Sequence, residues 1–340
     1  MAILGPALAL PLFVSGTGAD LYSLAIIFAI IGLSLNVLMG YAGQISLGHQ
    51  AFVGVGAFAA ASFTSKMHLP FYLSIPMAGA LGGAVAIILG LIALRIKGLY
   101  LALITLAYGV TVSGTIFGIT KLTGGGGGIA APRPAGFTGD RAYAYLCVFV
   151  LCLLLFVDWR MLRSKFGRAL LAIKENELVA SSFGMNIVFY KVGAFVVAGI
   201  FAGIGGGLFA FHDSYAVAAN FDFQLALTFV VMTVIGGLGN RTGVVIGSAF
   251  TAYLPFLLNS LDNAWHLNNK LVVSRFVIQA LLLLLTITRF PGGIGQQIHP
   301  ITEWLSGKPF PRHHKPSKPS KPKRDKAKVS ADDETVGTEG

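Results

Sequence analysis

Long, almost uncharged apolar runs leave this chain few ways to fold. Residues 21–39, 71–94, 99–119 and 271–288 are the clearest of them. Each comes close to the roughly 20 residues that a helix needs to cross the hydrocarbon layer of a bilayer. Composition closes off a soluble alternative: 55% of the 340 residues are hydrophobic, 11% are charged, and the mean hydropathy is +0.74. A soluble domain carries about twice that charged share. The 43 glycines would weaken helices in water, but in a bilayer they let helix backbones approach and pack by dispersion. The expected fold is all-α, a polytopic transmembrane helical bundle.

A pass along the chain gives about ten apolar segments, with eight as a lower count: 1–15, 21–40, 50–65, 71–94, 99–119, 143–157, 192–211, 223–238, 243–261 and 271–288. Orientation follows from Lys and Arg, because basic connections are retained in the cytoplasm. The connection 158–191 carries Arg160, Arg163, Lys165, Arg168, Lys174 and Lys191, which places it inside and, by alternation, both termini inside with it. Arg95, Lys97, Arg241 and Arg289 then fall on the same side. Lys66, Lys121, Arg133, Arg141, Lys270 and Arg275 fall outside.

Residues 1–305 form the membrane domain, and residues 306–340 change abruptly to Lys, Pro and Ser, with Lys315-Pro-Ser-Lys318-Pro-Ser-Lys321-Pro as a repeat. Such a tail has nothing to bury and is expected to be disordered in the cytoplasm. Its lysines stand either in solvent or against anionic lipid. The formal charge of +11 divides between 16 basic and 9 acidic side chains before the tail and 9 and 5 within it. That spread follows membrane topology and excludes a nucleic-acid footprint. Residues 1–15 lack a basic leader region and contain Pro6 and Pro11, so they read as a short first span rather than a cleaved signal. Cys147 and Cys152 lie inside one apolar run without His or acidic neighbours and read as buried thiols, with no metal site.

Chemistry concentrates in two places. The first is Gly40-Tyr-Ala-Gly-Gln44-Ile-Ser46-Leu-Gly48-His49-Gln50, a polar, glycine-rich break between two apolar runs. A broken helix lining a cavity is one reading, in which Asn36, Gln44, Ser46 and His49 offer hydrogen bonds to a polar solute. An ordinary turn at the cytoplasmic surface is the other. The second place is residues 167–184, rich in helix formers and closed by Gly184. They are expected to form one short exposed helix with Leu171 and Leu178 on one side and Arg168, Lys174, Glu175 and Glu177 supplying charge. Such a helix suits docking onto another protein, or lying on the inner leaflet.

Other features read as structure. Gly199, Gly203 and Gly207, and again Gly239, Gly243 and Gly247, recur every four residues and are expected to line helix-packing seams. The glycine run 124–128 lacks the following Lys-Ser or Lys-Thr of a phosphate loop and reads as a flexible connection. His212, Asp213 and Asp222 fall near an outer turn, where solvated side chains are the expectation and gating the alternative. No complete nucleotide-binding motif and no catalytic or metal-ligating constellation is found, so the chain is expected to be no enzyme and to carry no cofactor.

Several of these stretches resemble the LivM-type permeases of branched-chain amino acid ABC transporters. The motifs are Gly32-Leu-Ser-Leu-Asn36 through His49, Gly98-Leu-Tyr-Leu-Ala-Leu-Ile-Thr105-Leu-Ala107, Phe166-Gly-Arg-Ala169 with Ala172-Ile-Lys-Glu175, Gly184-Met-Asn186 with Tyr190-Lys191, and Gly236-Gly-Leu-Gly239. The resemblance covers about residues 20–295. It implies an ABC importer of the bacterial inner membrane: two permease chains carry the solute, two cytoplasmic ATPases bind ATP and Mg2+, and a periplasmic binding protein delivers the substrate. It further implies a translocation path lined by Asn36, Gln44, Ser46, His49 and Thr105. Residues 168–184 would be the coupling helix, with Arg168, Glu175, Glu177, Ala180 and Gly184 at the ATPase. The solute is expected to be a branched-chain or similar amino acid; relatives of this type also carry urea, short amides or aromatic acids. The other classes are an ion-coupled secondary transporter, which would need charges at mid-membrane, and a membrane-embedded enzyme.

Overall fold

A computed structural model of the chain describes residues 17–93, 96, 98–134 and 136–265, together with Val277, Ile278, Leu281, Leu284, Leu285, Thr288 and Arg289. The apolar stretch 1–15, most of 271–288 and the tail 306–340, with its expected disorder and lipid contact, lie outside the described residues.

Eight apolar helices take up the remaining segments. They are α1 (Thr17–Asn36, continued by a π turn at Val37–Tyr41), α2 (His49–Ser65), α3 (Phe71–Ala93), α4 (Leu99–Thr111, continued by a π turn at Val112–Ile116), α5 (Asp140–Arg163), then after two short helices α8 (Ile187–Asp213), α9 (Phe223–Gly236) and α10 (Arg241–Trp265). The two short helices are α6 (Lys165–Glu175) and α7 (Glu177–Ser182). Among the described residues, six helices are long and apolar enough to cross a membrane, and the chain is a multi-pass membrane protein. The long α1 and the shorter α2 sit deepest. In α2, every residue from His49 to Ala61 except Val55 is buried, as befits a helix that is apolar on all sides. The lipid-type surface is borne instead by α3, α4 and α5, where residues such as Ile88, Leu99, Tyr100, Leu103, Phe149 and Phe156 are exposed.

Contacts sort the connections into two ends. At one end Lys174 and Asp158 of the 158–191 connection reach Gly40, Tyr41 and Arg241. At the other, Arg133 and His212 reach Asp20, and Ser65 reaches Ala130. Lys174 and Arg241 thus lie at one end and Arg133 at the other.

The core is held by small residues. In hydrocarbon there is no hydrophobic drive between helices, so close van der Waals approach has to supply the attraction. Glycines on α8 provide it against two neighbours. A Cβ on Gly206 would stand 1.9 Å from the Val53 carbonyl oxygen of α2, and one on Gly56 would stand 2.2 Å from that of Gly203. On the α3 side, a Cβ on Gly199 would stand 2.5 Å from the Gly82 oxygen, and one on Gly203 2.6 Å from that of Ala78. The predicted 199/203/207 seam is therefore real. The second series is corrected in one member. Gly243 and Gly247 pack α10 onto Gly236 of α9, but Gly239 lies in the turn between these helices with φ +85°, so it cannot share their face.

The glycine run is corrected as well. Gly125–Gly127 form a 3-10 turn, and Ile129–Ala130 (β1) pair antiparallel with Tyr215–Ala216 (β2). Gly128, at φ +69°, lies so close to Ala216 that a Cβ would be 2.4 Å from its oxygen. The expected flexible connection is an ordered cap on this end of the bundle.

Gly203→Val should destabilise the purified protein by about 1–3 kcal/mol, the usual cost of overpacking, read as a lower melting temperature in detergent. Gly114→Ala, where nothing lies within 4 Å of the added carbon, should melt like the parent.

Candidate functional site

The polar break joins three helices at the end that carries residues 158–191. Helix α1 leaves α geometry after Asn36 and widens into its π turn, a local feature that recurs at functional sites. Asn36 is fully buried, and its side-chain oxygen accepts from the Gly239 backbone N–H at 2.7 Å. Gly40 must be glycine for that contact to form, because a Cβ there would fall 2.2 Å from the same oxygen and 2.6 Å from the Gly239 nitrogen. The chain then runs through residues 42–48 and turns into α2. Here Gly48 lies directly on α4, with the Thr105 carbonyl 1.9 Å from where a Cβ would be. Thr105 Oγ1 accepts from the Leu47 N–H at 3.0 Å and donates to the Ala102 carbonyl at 2.9 Å. His49 Nε2 is hydrogen-bonded to Ser34 of α1, and its ring meets Phe52 edge-on at 5.6 Å.

Both readings of the break thus need adjustment. It does lie at the end of the bundle where a surface turn belongs, yet Asn36, Ser46, His49 and Thr105 are all buried. Gln44 is separated from them. It borders an open polar recess of about 210 Å³, shared with Lys174, Glu175, Glu177 and Lys191. Gln50, which the motif contained but which was not assigned a role, belongs to the junction. Both its amide atoms, with Asn36 Nδ2, Ser46 Oγ and His49 Nδ1, are buried without a hydrogen-bond partner in the protein. A buried polar atom left in that state costs about 1–3 kcal/mol. The junction therefore favours any arrangement, or any solute, that satisfies these atoms.

The neighbouring connection is two helices instead of the single one expected over 167–184. Asn176 adopts extended geometry and caps α7, its side-chain oxygen accepting from Leu178 and Val179 N–H at 3.0 and 3.1 Å. Asn is among the strongest N-cap residues, and here it ends α6 by starting α7. Leu171 and Leu178 consequently do not share one continuous helix face. Gly184 does close the segment, at φ +76°, with its N–H on Ser181 and that of Met185 on Ala180.

The charges expected to face a partner are mostly turned to local contacts. Glu177 pairs at 2.9 Å with Lys191, whose side chain is only 2% exposed, and Arg168 donates to the Arg163 carbonyl at 2.7 Å. Ala180 is buried and Glu175 is exposed. Large apolar side chains also project outward: Leu178 is 78% and Phe183 77% exposed, and Val179 and Phe189 are exposed as well.

A buried ion pair anchors the connection to the bundle. Asp158, with no exposure, takes Arg241 Nε at 2.5 Å and the Tyr41 hydroxyl at 3.1 Å on one oxygen, so α5, α10 and the π turn meet at one carboxylate.

At the opposite end His212 is not the solvated side chain expected. It is largely buried, with Asp20 and Asp213 at 3.2 and 3.0 Å. Arg133 bridges Asp140 and Asp20 and lies over Tyr143. Burial works against the Arg133 charge, but the hydrogen bond and charge of Asp140 outweigh it and raise its pKa above the usual arginine value. Asp213 and Asp222 line an open cleft of about 420 Å³ with Phe28, Gln224 and Thr251. Of the two cysteines, Cys147 is buried as expected and Cys152 is half-buried.

Comparison with known proteins decides the family. The family described as branched-chain amino acid transport system / permease component matches residues 19–286. The chain belongs to this permease family. The high-affinity branched-chain amino acid transport system permease protein LivM of Salmonella typhimurium is 30% identical over 335 residues, covering 90% of this chain and 76% of that protein. The LivM protein of Escherichia coli is similar to the same extent. A probable LivM of Methanocaldococcus jannaschii is 24% identical over 79% of this chain and 90% of its own length. No solved structure matches. As a family member the chain is a permease of the ABC importer class, not an enzyme, and works with ATPase and binding-protein partners in general.

For a permease, the Asp158–Arg241 pair fixes the base of three helices. Removing one partner of a buried pair leaves a charge uncompensated, at about 3–5 kcal/mol. Asp158→Ala is expected to destabilise the protein by an amount near the lower end of that range, since Arg241 is 25% exposed. Asp158→Ala combined with Arg241→Leu should recover part of the loss. Thermal denaturation in detergent followed by size exclusion reads both.

Proposed function

We propose that the chain is one of two permeases in an ATP-driven importer that carries branched-chain or similar amino acids across the bacterial inner membrane. In this reading two ATPase subunits, with ATP and Mg2+, sit against the 158–191 end, and a periplasmic binding protein delivers solute to the other. The 158–191 end faces the cytoplasm because its connections carry most of the Lys and Arg, which are retained there. Both termini lie on that side.

The observation that carries the reading is the outward apolar face of α7 and Phe183. Leu178 and Phe183 stand beyond the spans on α7 and at its end, while the adjoining Glu177 is tied inward by its pair with Lys191. An apolar knob held on a rigid base suits a pocket on another subunit better than it suits water. Arg168, Glu175, Glu177, Ala180 and Gly184 then act mainly by shaping that knob and its base.

The solute path follows Asn36, Ser46, His49 and Thr105, with Gln44 at the cytoplasmic mouth. An amino acid brings donors and acceptors into an apolar bundle, and the unpartnered atoms of Asn36, Ser46 and His49 are the groups able to meet them in a second conformation. Alternating access is the change that would expose them.

Co-purification in mild detergent tests the partner assignment. The parent chain should bring down ATPase subunits and a second permease. Leu178→Asp with Phe183→Asp should weaken the ATPase by roughly 30-fold or more, the loss expected for an interface anchor worth about 2 kcal/mol. Full retention by that variant would count against the docking face. In vesicles, leucine uptake should require ATP and be competed by isoleucine and valine. Competition by urea would reassign the solute, and uptake driven by an ion gradient without ATP would point to a secondary transporter.

A further inference from the structure

At the end of α1 a carbonyl is claimed from outside the helix. The backbone donors that follow the π turn are already used: Ala42 N–H bonds Val37, and Gln44 N–H reaches back to Leu38 at 2.9 Å. The Gly40 carbonyl instead accepts from Lys174 Nζ of α6, at 2.8 Å. The lysine stem lies along Gly43, where a Cβ would meet its Cγ at 3.0 Å. Lys174 therefore stands apart from the outward apolar face, beside Gln44 on the recess, and holds the end of α1.

From Gly40 the contacts form a closed circuit. Gly40 is packed against Asn36 and Gly239, and Asn36 accepts from Gly239. Two residues on, Arg241 pairs with Asp158 at the foot of α5, and α5 leads through Ser164 into α6 and back to Lys174. Helix α7 is tied separately, through Glu177 and Lys191, to the foot of α8. Lys174 is thus the direct bond from α6 to α1, beside the bond from Tyr41 to Asp158 of α5, while the base of α8 holds α7.

A π turn holds one residue more than an α turn of the same span, so reversion to α geometry would pass that residue along the helix. Each residue so passed amounts to a shift of about 1.5 Å and a rotation of about 100°. Asn36 lies at its edge, and the unpartnered Asn36 Nδ2 is one of the groups such a turn would redirect. An element of this kind, biased from one site and felt at another, is the physical requirement for coupling.

We propose that Lys174 is a positioning residue that holds α1 in its π register, so that displacement of α6 by the ATPases is converted into a register change at Asn36. This rests on the importer reading above, and its test separates the two. The co-purified complex is prepared with Cys147→Ala and Cys152→Ala, and Ile45→Cys is added as a reporter on the exposed part of the 42–48 segment. Labelling by a membrane-impermeant maleimide is timed without nucleotide and after trapping with ATP and vanadate. With Lys174 present, the labelling rate should differ several-fold between the two states. With Lys174→Met it should be the same in both, while ATPase subunits and vanadate-sensitive hydrolysis are retained, and Lys174→Arg, which can reach the same carbonyl, should restore the difference.

If the Met variant does not assemble, Lys174→Leu, which likewise lacks a donor, carries the same comparison. A Met or Leu variant that keeps the nucleotide-dependent difference overturns the proposal, as does a parent complex that shows none. Absence of ATPase subunits from the parent preparation overturns the importer reading itself, and the proposal with it.

Discussion

Everything in this bundle depends on backbone meeting backbone without a side chain between. Helices in oil gain nothing by hiding from their surroundings, and attraction has to come from atoms brought close. The face of α8 that bears Gly199, Gly203 and Gly206 lets α2 and α3 approach to contact, and α2 can be enclosed from His49 to Ala61, Val55 excepted, because that stretch is mostly Ala, Gly, Val and Phe. Enclosure of α2 in turn buries His49 and Gln50 in its first turn. The polar junction is thus a product of the glycine packing, which leaves no room for these side chains to reach solvent.

The two ends of the bundle are built differently. At the end with Arg133, His212, Asp20 and Asp140, charges neighbour one another in a partly exposed network, roofed by the β1–β2 pair. At the other end the polar links span distant segments: Asn36 to Gly239, Lys174 to Gly40, Asp158 to Arg241 and Tyr41, and Glu177 to Lys191. They define which helices are tied together there.

Much of this was legible in the sequence, and the misses have physical causes. The apolar runs predicted the long helices because a bilayer imposes length and composition together. The Gly199 series was legible because a four-residue period on an unbroken apolar run leaves one helical reading. The Gly239 series failed at its first member, since spacing says nothing of φ and Gly239 is needed for a turn. The split at Asn176 had a signal, an N-capping residue before Glu177-Leu-Val, but helix propensity on both sides hid it. Burial of His212 had none, because Asp20 and Arg133 are brought to it from distant parts of the chain. At the junction, residue types marked Asn36, Ser46 and His49, while Thr105 came from motif likeness alone. Gln50 was passed over as the start of an apolar helix.

The length of the enclosed helix α2 bears on the membrane's electrical insulation. Helix α2 has 17 residues, which at 1.5 Å per residue gives about 26 Å, against a hydrocarbon layer of about 30 Å. Before its first turn the chain is irregular and carries Gln44 and the buried Ser46. Along this line the apolar stretch is shorter than the bilayer is thick. A transmembrane voltage, worth about 2.3 kcal/mol per charge at 100 mV, would act over a shorter length there than in the surrounding lipid.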